Sequence, residues 1–203
     1  MGTALAESGN LETAIGSYSE ALRIKPDFAE VYYSMGIALN DNGEVNAAIE
    51  SYKQALEINP KYIEAYNNMG IALDIVGDPE AAMESYKQAI KVNPDYAEAH
   101  CNLGFLLQKI NSLESAEKSY RQAIALKPDF AEAYGNLAIT LIGMGNQDNA
   151  LIVLKKSHEL IRGKNPVNPF HKSFLTISKA KMDHDIEQFK YLADSGYEVE
   201  KFQ

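Results

Sequence analysis

Three groups of side chains in this 203-residue chain could hold a ligand or do chemistry. The first is a carboxamide row: Asn68, Asn102 and Asn136 are spaced by 34 residues, with Ser34 in the same register. A carboxamide both donates and accepts, so a row of them could bond the C=O and N–H groups of an extended polypeptide. The second is Asp183-His184-Asp185 with His171 upstream, which could be imagined as metal ligands. A histidine and its immediate neighbours point in different directions on a helix, so Asp183 or Asp185 as a helix N-cap is the better account. The third is Cys101, the single cysteine, which has no basic neighbour to lower its pKa and is expected to be inert. No nucleophile–base pair, phosphate loop or metal-ligand spacing stands out, so the sequence predicts neither catalysis nor a cofactor.

Composition narrows the partners. At 46% hydrophobic and 23% charged, the chain can build a core, and wholesale disorder is not expected. A formal charge of −9 disfavours nucleic acid, which needs a basic face, and anionic membrane surfaces equally. A partner steered by charge would be neutral or basic. One cysteine allows no intrachain disulfide and suits a reducing compartment. No apolar run approaches the roughly 18–20 residues of a membrane span, and MGTALAESGN shows no signal-peptide pattern. Together these point to a cytoplasmic chain.

The spacing of the asparagines belongs to a wider period. Pro26, Pro60, Pro94 and Pro128 fall 34 residues apart, and a fixed period outranks local propensity when reading a fold. With this proline as position 32 of each unit, units begin at Ala29, Ile63, Ala97 and Ala131. Position 8 is Gly36, Gly70, Gly104 and Ala138, and position 20 is Ala14, Ala48, Ala82, Ala116 and Ala150. Position 24 is Tyr18, Tyr52, Tyr86 and Tyr120, then Leu154. Apolar residues recur at helical intervals on either side of a turn marked by Gly43, by Gly77-Asp78-Pro79 and by Gly145-Asn146. Each unit therefore reads as two antiparallel helices of about a dozen residues. A side chain larger than glycine or alanine at positions 8 and 20 would push the pair apart, and the aromatic at 24 fills the space beside the crossing. Asp78 followed by Pro79 reads as an N-cap and a first-turn proline.

The pattern resembles the tetratricopeptide repeat. Tyr32, Met35-Gly36, Leu39, Ala48, Tyr52 and Pro60 carry it in one unit, and His100, Leu103-Gly104, Leu107, Ala116, Tyr120 and Pro128 in another, with His100 replacing the usual aromatic. The resemblance covers residues 1 to about 164, as units 1–28 (partial), 29–62, 63–96, 97–130 and a degenerate 131–164. It implies an all-α, right-handed superhelical solenoid of antiparallel helix pairs. Met1 falls at position 7, which suggests a fragment of a longer chain or an N-terminal end available for homo-oligomer contacts. Residues 165–203 follow two interrupting prolines and are expected to form helices that cap the array or a linker.

In such arrays the first helix of each unit lines a concave groove, through positions 2, 5, 6, 9, 12 and 13. That places Ser34, Asn68, Asn102 and Asn136 on the groove, where the row resembles the asparagine ladder of O-linked N-acetylglucosamine transferases; the alternative is a solvated face. Tyr33, Asn67, Cys101 and Gly135 fill position 5. Ile37, Ile71, Phe105 and Ile139 at position 9 would either anchor apolar side chains of a partner or pack between helices. Glu30, Glu64, Glu98 and Glu132 at position 2 would make an acidic rim, or pair with Asp27, Asp95 and Asp129 as capping boxes. Only Lys109 stands at a position used to clamp a C-terminal carboxylate, so that mode is not expected.

The resulting expectation is a non-catalytic scaffold that binds an extended peptide or partner helix in its groove. The alternatives are a substrate-docking segment of a larger enzyme, such as a glycosyltransferase or oxygenase, and a self-assembling scaffold.

Overall fold

The computed structural model describes residues 11–162. The partial helix from Met1, the segment 165–203 and the Asp183-His184-Asp185 cluster with His171 all lie outside the described residues. Within them the chain forms nine helices and no strand. They are α1 (Leu11–Ile24), α2 (Ala29–Asp41), α3 (Val45–Ile58), α4 (Ile63–Ile75), α5 (Pro79–Val92), α6 (Ala97–Lys109), α7 (Leu113–Leu126), α8 (Ala131–Gly143) and α9 (Gln147–Arg162). No helix among the described residues is long and apolar enough to cross a membrane.

The helices fall into two compact units, Met1–Leu106 and Leu107–Gln203. In the first, α2 packs on α3 and α4 on α5, while α1 lies on α2 and α3 on α4. In the second, α8 packs on α7 and on α9. Connections of three residues inside each pair force an antiparallel return. The turns need a left-handed residue: Gly43, Gly77 and Gly145 sit at φ 82°, 80° and 76°. Asn111 takes the same register at φ 59°, a place where asparagine is the tolerated substitute.

The pairing depends on one close approach. A Cβ on Gly36 would lie 2.5 Å from a ring carbon of Tyr52, and one on Gly70 2.6 Å from the matching carbon of Tyr86. The position-24 ring therefore lies directly against the bare backbone of the partner helix. Tyr52 and Tyr86 are 2% and 3% exposed, and the alanines at position 20 are enclosed. Burying a large side chain of this kind contributes about 1.5–3 kcal/mol. The aromatic that fills the crossing is thus what fixes position 8 as glycine.

Helix starts follow two rules. Asp78 caps α5, its Oδ1 accepting from the Ala81 N–H at 3.0 Å, with Pro79 in the first turn. The capping box expected from Asp27 and Glu30 ahead of α2 is not formed as drawn. The caps of α2, α4 and α8 are Phe28, Tyr62 and Phe130, whose side chains make no cap bond. Asp27 lies one residue too early, and the aromatic takes the cap position instead.

Candidate functional site

Within the first unit the carboxamides are bonded to one another. Asn102 Nδ2 on α6 donates to Asn67 Oδ1 on α4 at 2.9 Å. Asn67 Nδ2 approaches Asn68 Oδ1 at 3.4 Å, and Asn68 Nδ2 donates to the Tyr33 hydroxyl on α2 at 3.1 Å. The two inter-helix bonds share one rule, position 6 donating to position 5 of the preceding unit. The row thus ties three first helices together before it meets any ligand. Asn67 is 5% exposed and its oxygen is engaged inside the row, whereas Ser34, Asn68 and Asn102 are half-buried. Among the described residues, Asn102 keeps one N–H and its oxygen uncommitted, and Asn68 keeps a lone pair.

The apolar stripe is partly used in packing. Ile37 lies against the cluster of Leu39, Ala48, Ile49 and Tyr52, and Ile71 against Ala82, Tyr86 and Leu106, yet both remain half-buried, as does Phe105. Cys101 is 2% exposed. In the second unit, Asn136 is 5% exposed and Ile139 half-buried on α8. There Gln108 Oε1 accepts from the Tyr120 hydroxyl at 3.1 Å and from Thr140 Oγ1 at 3.0 Å. In the first unit Asn40 occupies Gln108's register, and among the described residues its buried Oδ1 has no partner; Ala72 stands where Thr140 does, and Tyr52 where Tyr120 does.

A tyrosine cluster borders the row. The Tyr33 ring lies 4.7 Å from Tyr62 and 6.1 Å from Tyr52 between centroids, both tilted. Burial raises the Tyr33 phenol pKa, helped by the Glu64 carboxylate and opposed by the Asn68 bond. Burial pushes Tyr62 up to about 12, with Tyr33, Glu64 and Glu30 adding to it. Tyr96 is likewise pushed up to about 12 by burial, then by Glu98, Glu64 and Tyr33. Glu30 and Glu64 are exposed and have no ion-pair partner among the described residues.

Sequence reasoning named Tyr33 and Asn67 but left out Tyr62 and Tyr96. They occupy position 34, which is aromatic in every unit as Phe28, Tyr62, Tyr96 and Phe130, and that recurrence was the available signal. Among the described residues no group of His, Cys, Asp and Glu is arranged to hold a metal ion.

Comparison with known proteins agrees with this geometry. A family model described as "TPR repeat" matches residues 2–43, 38–73 and 77–111, and models described as "Tetratricopeptide repeat" match 97–130 and 119–152. No curated protein matches the chain. Among solved structures, a crystal structure of MamA is 29% identical, with TM-score 0.74 over 80% of this chain and 95% of that one. TTC0263, a thermophilic TPR protein of Thermus thermophilus, is 27% identical, with TM-score 0.68 over 86% and 95%. YrrB, described as a TPR protein with an unusual peptide-binding site, is 22% identical, with TM-score 0.66 over 88% of each chain, and shares the fold. A fold built from such repeats, with TPR proteins as its structural neighbours, supports a protein-interaction scaffold in general terms. The glycine–tyrosine crossings, the 34-residue period and the matching family models make one conclusion: the chain belongs to the tetratricopeptide repeat family.

Proposed function

We propose that the first-helix face of the N-terminal unit binds an extended polypeptide, and that the protein acts as a scaffold rather than a catalyst. The observation that carries this reading is the incomplete use of the asparagine row. Asn68 and Asn102 are half-buried, each is held to a neighbouring helix by a bond it donates, and both keep hydrogen-bonding capacity that no described residue takes up. A carboxamide held in this way is pre-oriented, so a peptide bond could use the remaining N–H and lone pairs without ordering the side chain first. Ser34, Ile37, Ile71 and Phe105 lie on the same helices and would flank that backbone. Asn67 is too enclosed to contribute more than support. Asn136 and Ile139 on α8 would extend the same mode of contact in the C-terminal unit, with Asn136 restricted by its burial.

The test is retention of partners from the source lysate by the full chain, by an Asn68→Ala, Asn102→Ala variant and by Tyr33→Phe. Tyr33→Phe deletes the hydroxyl that Asn68 donates to while leaving both carboxamides in place. Circular dichroism first establishes equal helicity. Loss of a protein with the double variant and its weakened but measurable retention with Tyr33→Phe is the expected result. Equal retention by all three would show that the row only knits the helices, and the reading fails.

A further inference from the structure

The four aromatic residues at position 34 are not used alike. Lys25 Nζ lies over the Phe28 ring at 4.3 Å, and Lys127 Nζ over the Phe130 ring at 4.7 Å. In both, the lysine stands three residues before the ring. The residues in that register in the two middle units are Asn59 and Asn93. Each asparagine turns back on the chain instead: Asn59 Oδ1 accepts from the Lys61 N–H and Asn93 Oδ1 from the Asp95 N–H, both at 3.1 Å. Among the described residues no cation lies over the Tyr62 and Tyr96 rings, although the same ring position takes an ammonium at Phe28 and at Phe130.

The surroundings of these two rings favour a positive charge from outside. Tyr62 and Tyr96 are half-buried, with Glu64 within electrostatic reach of both, Glu30 of Tyr62 and Glu98 of Tyr96. Tyr33, which meets Tyr62 at 4.7 Å, is also the end of the asparagine row. The cluster is thus continuous with the surface assigned to the polypeptide backbone. Residues 11–106 hold 15 Asp and Glu against 6 Lys and Arg, so this unit alone accounts for the chain's formal charge of −9.

We propose that Tyr62 and Tyr96 receive arginine or lysine side chains of the polypeptide whose backbone lies along Asn68 and Asn102, one cation seated on Tyr62 and facing Glu30 and Glu64, the other seated on Tyr96 and facing Glu64. The proposal rests on the groove reading and adds the chemistry of the partner to it. A guanidinium can stack on a ring face and meet a carboxylate at its edge together, which makes arginine the better fit.

The experiment measures binding of two fluorescein-labelled peptides to the full chain by anisotropy. One repeats Gly-Ser-Arg; the other replaces each arginine with citrulline, its neutral near-isostere. The proteins are the natural chain, Glu30→Gln with Glu64→Gln, Tyr62→Leu with Tyr96→Leu, and a control pair, Glu12→Gln with Glu80→Gln, which removes equal charge from exposed sites on α1 and α5. The expected result is about fivefold tighter binding of the arginine peptide, from a cation–ring contact of about 1 kcal/mol. That preference disappears in the first two variants and survives in the control. Should the tyrosine pair fail to fold, the exposed glutamate pair decides alone. Equal binding of both peptides, or an equal loss in the control, overturns the cation seats. If both peptides then still bind and Asn68→Ala with Asn102→Ala weakens them alike, the groove reading stands without the seats. If neither peptide binds, both readings fall.

Discussion

A single methyl added to Gly70 would sit 2.6 Å from the Tyr86 ring, closer than carbon atoms tolerate, so the ring or the helix must shift. Tyr86 is enclosed and cannot swing out, and overpacking of this kind costs typically about 1–3 kcal/mol. Gly70→Ala is therefore expected to destabilise the protein by that amount in urea titrations. Because the three nearest atoms all belong to that ring, Tyr86→Leu should relieve part of the clash, and a double-mutant cycle should show coupling. Additive losses would mean the glycine answers to something else. Tyrosine chemistry gives a second expectation. Tyr62 and Tyr96 have folded pKa values of about 12, above the unfolded value near 10. The neutral phenol is the favoured folded form, so its contribution is complete below about pH 10 and is lost as pH rises through about 12. Phenylalanine at both positions should move alkaline unfolding, followed by circular dichroism, to higher pH; an unchanged curve would contradict the shifts. At this scale the sequence was only half legible. Positions 8 and 24 announced their contact because size alone sets it. The asparagine bonds did not, because they join position 6 to position 5 of the preceding unit, an offset of 35 that the 34-residue period hides.

Helix α5 carries a side-chain cap. Asp78 satisfies the Ala81 N–H and Pro79 presets the first turn, whereas α2, α4 and α8 begin at aromatic residues without a side-chain cap bond. Loss of such a cap typically costs about 1 kcal/mol. Asp78→Ala should therefore lower stability by about that much and Asp27→Ala by far less, compared by thermal melts; equal effects would put a capping role back at Asp27. Helix positions were readable from sequence because glycine or asparagine ends each first helix at position 15 and the apolar spacing changes there. Starts were read less well. An acidic residue followed three later by glutamate satisfies the capping-box spacing, but the structure gives the cap to the aromatic between them, whose burial outweighs one exposed hydrogen bond.

Across the whole chain, charge is unevenly distributed. Residues 11–106 carry the full formal −9, and the ion pairs there, such as Arg23–Glu20 and Lys53–Glu50, are exposed and contribute little. Repulsion among the remaining carboxylates should be relieved as the screening length falls from about 30 Å in ~0.01 M salt to about 10 Å in ~0.1 M. The thermal midpoint is expected to rise over that range, and a fall would mean that attractive pairs dominate. The Gly36–Tyr52 and Gly70–Tyr86 crossings have another consequence. They are interchangeable joints, the same glycine against the same ring with the same 16-residue offset. A gene encoding such joints can gain or lose a segment of 34 codons and still close every remaining one, while an insertion between a glycine and its ring shifts that tyrosine off its bare partner. Whole repeats are then the unit in which the array can grow or shrink, each step adding or removing one ring and one position-6 side chain together.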